Sequence, residues 1–166
     1  VSEAMGLRNA LLDNFERALT CAGEQERQEL LNVVIVGGGA TGVEIAGALS
    51  EMKNFVLPKD YPDLPSSLMH IYLVEAGPRL LPAMSEESSA HVEKYLRGMG
   101  VNVLLNKMVT DYKDHCVILK DGSSIATRTF IWVSGVAAQP VGNLDPSHLG
   151  RGRRIIVDEF NQVKGL

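Results

Sequence analysis

Apolar residues recur at helical spacing through the first part of the chain. Leu7, Leu11, Leu12, Phe15 and Leu19, with charges between them, predict an amphipathic helix over residues 2–22. Gly23 ends it, and residues 24–31 form a second, polar helical stretch closing on two leucines. The pattern then changes. Val33, Val34, Ile35 and Val36 are a continuous β-branched run, as expected of a strand buried on both faces of a parallel sheet. Helical periodicity returns over 40–52, where Val43, Ile45, Ala46, Ala48 and Leu49 are available for burial. Residues 53–68 read as loop, because Pro58, Pro62 and Pro65 interrupt any long helix. A strand over 71–74, a helix over 86–99 with Gly100 behind it, and a strand over 101–105 follow. Residues 108–112, 116–119 and 124–127 then predict a short antiparallel meander, turned by Asp121-Gly122. An apolar run at 130–133 returns to the parallel sheet. Residues 140–152 are loop, and 155–158 a last strand.

The order is βαβαβ, a three-stranded meander and a further parallel strand. It predicts an α/β, Rossmann-like dinucleotide-binding domain with a central parallel sheet. Leading helices occupy 1–31, the binding core 33–135 and a return segment 136–166.

Composition limits the chemistry. The 166 residues are 45% hydrophobic and 22% charged, which suits one domain able to hold its own core. A net charge of −4 argues against a nucleic-acid surface, which would need a basic stripe. Cys21 and Cys116 are far apart and form no CxxC, so neither a redox pair nor a zinc site is suggested. No stretch is apolar and long enough for a membrane-spanning helix, and no signal peptide is evident. The first residue is Val1, and the chain is expected to be a piece of a longer protein.

Gly37-Gly38-Gly39-Ala40-Thr41-Gly42 fits GxGxxG directly between a predicted strand and a predicted helix. Gly37 permits the tight turn, Gly39 lets a pyrophosphate reach the backbone, and Gly42 lets helix and strand pack closely. The helix N-terminus then faces the phosphates with free N–H groups and a positive dipole end. A dinucleotide site also needs an acceptor for the adenosine ribose at the end of the second strand. Glu75 stands there, followed by Ala76. Its charge would repel a 2′-phosphate, which predicts NADH over NADPH. Glu75 lies 33 residues after Gly42, beyond the usual ~20, a spacing that the proline-bearing insertion accommodates. Arg79 could approach the ribose or a phosphate, or simply face solvent.

Thr41-x-x-Glu44 matches a capping box, which alone would explain Glu44. The other reading aims its carboxylate into the cofactor cleft. Ser134-Gly135-Val136 follows the run 130–133, and ligands of open α/β sheets lie beyond the carboxyl ends of strands. That loop is expected to border the nicotinamide, with Gly135 allowing close backbone approach, unless it is a plain turn. Trp132, inside the apolar run, reads as a core residue.

These motifs resemble a known family. The segment from Val34 through Gly42 to Glu44 resembles the second, NADH-binding motif of the pyridine nucleotide-disulfide oxidoreductases. Tyr72-Leu73-Val74-Glu75-Ala76-Gly77-Pro78-Arg79-Leu80-Leu81-Pro82 and Ile131-Trp132-Val133-Ser134-Gly135-Val136 narrow the likeness to the type II NADH:quinone oxidoreductases, which do not pump protons. Leu7-Arg8-Asn9 and Phe15-Glu16-Arg17-Ala18 also fit the segment ahead of that domain. The resemblance covers essentially the whole chain. It implies hydride transfer from NADH to FAD and on to a membrane quinone. FAD is expected to be held mainly by segments outside this chain, so the chain alone is expected to hold the donor without turning over. It further implies Glu44 beside the nicotinamide, Gly135 near nicotinamide and flavin, a homodimer, and a cytoplasmic protein peripheral on the inner membrane face through a C-terminal region. No residue here is expected to act as an acid–base catalyst. Other readings are a different flavin-dependent reductase of the superfamily, a non-catalytic NADH-binding module, or a glycine loop that binds FAD itself.

Overall fold

The computed structural model describes residues 2–135, 137–139 and 141–164. The chain divides into two compact units, Val1–Ser134 and Gly135–Leu166.

The first unit opens with α1 (Ser2–Thr20) and α2 (Glu24–Leu31), which lead into β1 (Asn32–Val36). Then come α3 (Ala40–Glu51), α4 (Leu57–Asp60), β2 (His70–Val74), α5 (Glu86–Gly98) and β3 (Val101–Leu104). The meander is β4 (Val109–Lys113), β5 (Cys116–Leu119) and β6 (Ser124–Ala126), and β7 (Thr129–Trp132) closes the unit. The parallel sheet runs β3-β2-β1-β7, and β4-β5-β6 form a separate antiparallel sheet. The fold is the α/β, Rossmann-like arrangement that the sequence predicts.

Every residue of β1 is buried, because it is central in the sheet and covered on both faces. Val33 and Ile35 join the larger core with Ala46 and Leu49 of α3, Leu96 of α5 and Leu11 and Phe15 of α1. Val34 and Val36 face the other way, into a smaller core with Val117 and Leu119 of the meander. The meander thus covers the face that a second set of crossover helices would cover in a doubly wound sheet. Buried Asn14 of α1 donates to Thr129 Oγ1 of β7 at 3.0 Å, tying the leading helix to the sheet.

Several expectations are corrected. The segment 53–68 is partly helical: α3 runs on through a π-helical turn (Met52–Val56) into α4. Pro58 offers no N–H and its ring crowds the carbonyl four residues back. The chain widens by a residue there and keeps winding, which a proline count alone cannot distinguish from a break. Leu19 is 41% exposed and Ala48 also faces solvent, so the buried stripes of α1 and α3 are narrower than the apolar pattern.

The second unit has two short 3-10 turns, Pro146–His148 and Arg151–Arg153. The strand expected at 155–158 reduces to single antiparallel bridges, Leu149 with Ile155 and Val157 with Val163. Ile155, Ile156 and Val157 are all exposed. No neighbouring strand among the described residues completes a ladder there. No helix among the described residues is long and apolar enough to cross a membrane.

Candidate dinucleotide-binding site

The parallel order β3-β2-β1-β7 places β1 where strand order reverses: the chain leaves β1 toward β2 and β3 on one side and returns to its other side as β7. Open α/β sheets bind ligands at such a switch point. Gly37–Gly39 occupy it. Gly37 has φ +118°, which favours glycine, and a Cβ there would lie 3.1 Å from Ser134 N and 3.2 Å from Ser134 Cα. At Gly42 a Cβ would lie 1.9 Å from the carbonyl oxygen of Gly37. Helix and turn can approach this closely only with glycine at 42. At Gly39 a Cβ would meet nothing within 4 Å, so this position opens outward. Gly39 is also the N-cap of α3, and no side chain caps that helix. The first-turn N–H groups and the positive end of the dipole are therefore presented to the outside beside Gly39, whose missing side chain leaves open space.

Gly38, a variable position in the motif, is tightly enclosed. A Cβ there would come within 2.7 Å of Leu80 Cδ2 and 3.0 Å of Glu75 Cβ. Its N–H donates to Glu75 Oε2 at 2.6 Å and its carbonyl accepts from Leu81 N at 2.7 Å. Glu75 Oε1 accepts from Gly77 N at 2.7 Å. The carboxylate thus sits at the end of β2 against the glycine turn. Two charge-assisted bonds use part of its capacity for about four. Ala76 is exposed beside it. Leu80 has the strongest packing role in this loop, and neither spacing nor residue type marks it in the sequence.

Arg79 does not simply face solvent. It is half-buried, Nη2 donates to Pro82 O at 3.0 Å, and Nη1 is buried with no acceptor among the described residues. A cleft of about 210 Å³ lined by Asn106, Lys107, Met108, Lys120 and Asp121 adjoins this loop, since Lys107 N donates to Glu75 O and Asn106 N to Gly77 O. Lys107 pairs with Asp121, and that bond, with those from Ser123, holds the Asp121 carboxyl well below the usual carboxylate range. Those two charges satisfy each other, and exposed Lys120 lines the same cleft.

The capping box does not form. Gly39 is the N-cap, which puts Thr41 inside the first turn, where its hydroxyl caps nothing. Thr41 and Glu44 are both exposed. The structural explanation for Glu44 is therefore withdrawn.

Trp132 is not a core residue. It is 56% exposed, and its Nε1–H donates to Ser134 O at 2.7 Å. It is the last residue of β7, which forms the edge of the parallel sheet. Ser134 itself is exposed and packs its backbone against Gly37. Gly135, the first residue of the second unit, has φ +82°. Val136 lies outside the described residues. Residues 37–42, Glu75, Ala76, Arg79 and Ser134 thus all belong to the first unit. Among the described residues no cluster of side chains could hold a metal ion.

Comparison with known proteins agrees with this geometry. The chain is 37% identical to the type II NADH:quinone oxidoreductase of Haemophilus influenzae over 97% of its length, and 34% identical to NdhA, the type II NADH:quinone oxidoreductase of Mycobacterium tuberculosis, over 99%. It spans only 39% and 37% of those relatives. Its fold matches NDH2 from Plasmodium falciparum in complex with NADH, with a TM-score of 0.78 and 26% identity, over 84% of this chain and 29% of that one. The pattern of the pyridine nucleotide-disulphide oxidoreductases runs from residue 4 to residue 165, and the chain belongs to that family.

Proposed function

We propose that this chain is the NADH-binding domain of a flavin-dependent NADH:quinone oxidoreductase. One observation carries the reading: the uncapped start of α3, the open face of Gly39 and the carboxylate of Glu75 converge on the carboxyl end of β1. The pyrophosphate is held by N–H groups of Gly39, Ala40, Thr41 and Gly42, on the turn shaped by Gly37 and braced at Gly38 by Glu75. Glu75, with Ala76 beside it, accepts from the adenosine ribose and repels a 2′-phosphate, and the guanidinium charge of Arg79 lies at the same end. Glu44, exposed and without a cap role, faces the nicotinamide. Ser134 borders that ring, and Gly135 and Val136 join it by the family resemblance alone. The domain's task is to bind and orient the donor.

FAD, bound in the whole flavoprotein, would supply the acceptor for the hydride. Reduction of a membrane quinone, attachment to the inner membrane face from the cytoplasm and pairing into a homodimer belong to the whole protein. Within this chain, residues 1–31 serve as leading helices, 33–135 as the binding core and 136–166 as a return segment. The names of the two bacterial relatives support NADH as donor and a quinone as acceptor. The test is anaerobic mixing of the full-length flavoprotein with NADH, then with a quinone. Bleaching of the flavin and its return on adding quinone are expected. A flavin that NADH reduces but quinone does not reoxidise would point to another reductase of the family, and a protein without flavin to a binding module.

A further inference from the structure

We infer that Trp132 is a positioning residue of the NADH site, holding the Ser134 peptide against the glycine turn; this rests on the reading above. An exposed tryptophan at a strand end is costly, since its apolar area stays in water. This one is nevertheless fixed. Its ring continues an aromatic row on the meander-facing side of the sheet: Tyr112 stacks on Phe130 at 4.7 Å and 10°, and Phe130 meets Trp132 at 6.1 Å. Its Nε1–H is bound to Ser134 O at 2.7 Å. Strand register sets Trp132 opposite Val36, the residue before the glycine turn, and Val133 N donates to Val36 O at 3.0 Å. Ser134 is thereby held by the indole through its carbonyl and by the Val133–Val36 bond just before it, and Gly37, lacking a Cβ, leaves room for Ser134 N and Cα.

The peptide group is planar and trans, so fixing the Ser134 carbonyl also fixes the direction of the N–H that follows, away from the indole. The result is an oriented donor and a rigid aromatic edge beside the phosphate turn, both set before the ligand arrives. Such preorganisation lowers the ordering cost of binding. The ligand class is a reduced nicotinamide dinucleotide, whose carboxamide end needs oriented polar groups.

Trp132 is the only tryptophan of the chain, so its indole N–H gives a single NMR cross-peak. The wild-type chain, labelled with nitrogen-15, is titrated with NADH. The indole peak and the amides of Gly38 and Gly39 are expected to shift together. In W132F, which keeps a ring but loses the donor, Kd for NADH is expected to rise about fivefold, the effect of one hydrogen bond, with Tm nearly unchanged. W132H, which restores a ring N–H, should recover part of the loss. If the glycine amides shift while the indole stays still, or if W132F binds NADH like the wild type, this inference falls and the NADH reading stands. If neither glycine amides nor indole respond, the NADH reading itself fails. The wild-type titration decides even if the variants do not fold.

Discussion

The carboxylate of Glu75 is bound to the amide of Gly38, Oε2 to N–H, at 2.6 Å. The residue that would select the cofactor is therefore also a brace of the turn that would hold its phosphates. Structure and specificity are coupled through one side chain.

Glu75→Ala removes the acceptor of both Gly38 and Gly77. Loss of two bonds to a carboxylate should cost about 2–3 kcal/mol after relaxation. Glu75→Gln, which keeps one acceptor oxygen, should cost less. Both variants should lose discrimination against NADPH, since neither carries the repelling charge. Chemical denaturation together with the ratio of NADH to NADPH affinity checks this. A fully stable Glu75→Ala would contradict the brace, and unchanged discrimination would remove Glu75 from selection.

Two glycines of one motif should behave in opposite ways. Gly42→Ala drives a methyl into a backbone oxygen that cannot yield and should destabilise by about 3 kcal/mol, at the upper end of overpacking effects. Gly39→Ala meets open space at φ −75° and should cost less than about 1 kcal/mol. Its methyl would stand where the pyrophosphate must approach, so NADH affinity should drop about tenfold or more. Thermal unfolding and NADH titration of the pair separate the two effects.

Glu44 makes no cap and lies in solvent. Glu44→Gln should therefore leave stability within about 0.5 kcal/mol while slowing flavin reduction by NADH in the full-length flavoprotein. Stopped-flow reduction measures the rate. Because glutamine also serves in a capping box, Glu44→Ala tests the cap, and a destabilised Glu44→Ala would revive that role.

His70, at the start of β2, has its pKa lowered from the ordinary 6.5, first by burial and then by nearby Lys53. Between the lowered value and 6.5 the unfolded chain binds more protons than the folded one, so stability must fall as pH falls through that window. His70→Asn should flatten this dependence. Urea midpoints at about pH 7.5 and about pH 5 compare the two proteins. An identical acid sensitivity in His70→Asn would assign the effect elsewhere.

Much of this fold is legible in the chain because its signals are local. Val33–Val36 can only be a doubly covered strand, and the glycines at 37, 39 and 42 mark a turn and a close approach. Glu75 is found from its place after a strand. What escaped depends on tertiary extent. Trp132 alternates correctly for a strand, but it ends β7, and that β7 is the sheet's edge is set by the strand order. Thr41 and Glu44 have the spacing of a capping box, yet the turn begins the helix two residues earlier, with Gly39 as N-cap. Pro58 suggests a break, but a π-helical turn absorbs it. The apolar residues near 155 have strand propensity, but no partner among the described residues extends their single bridges into a ladder.

The central claim is that the glycine turn holds NADH. Calorimetric titration of the 166-residue chain with NADH, NADPH and FAD tests it most directly. The account predicts one NADH site per chain, affinity for NADPH lower by about tenfold or more from one uncompensated charge repulsion, and no tight FAD. Equal affinity for the two nicotinamide nucleotides would contradict the role of Glu75, and stoichiometric FAD in place of NADH would contradict the assignment of the turn.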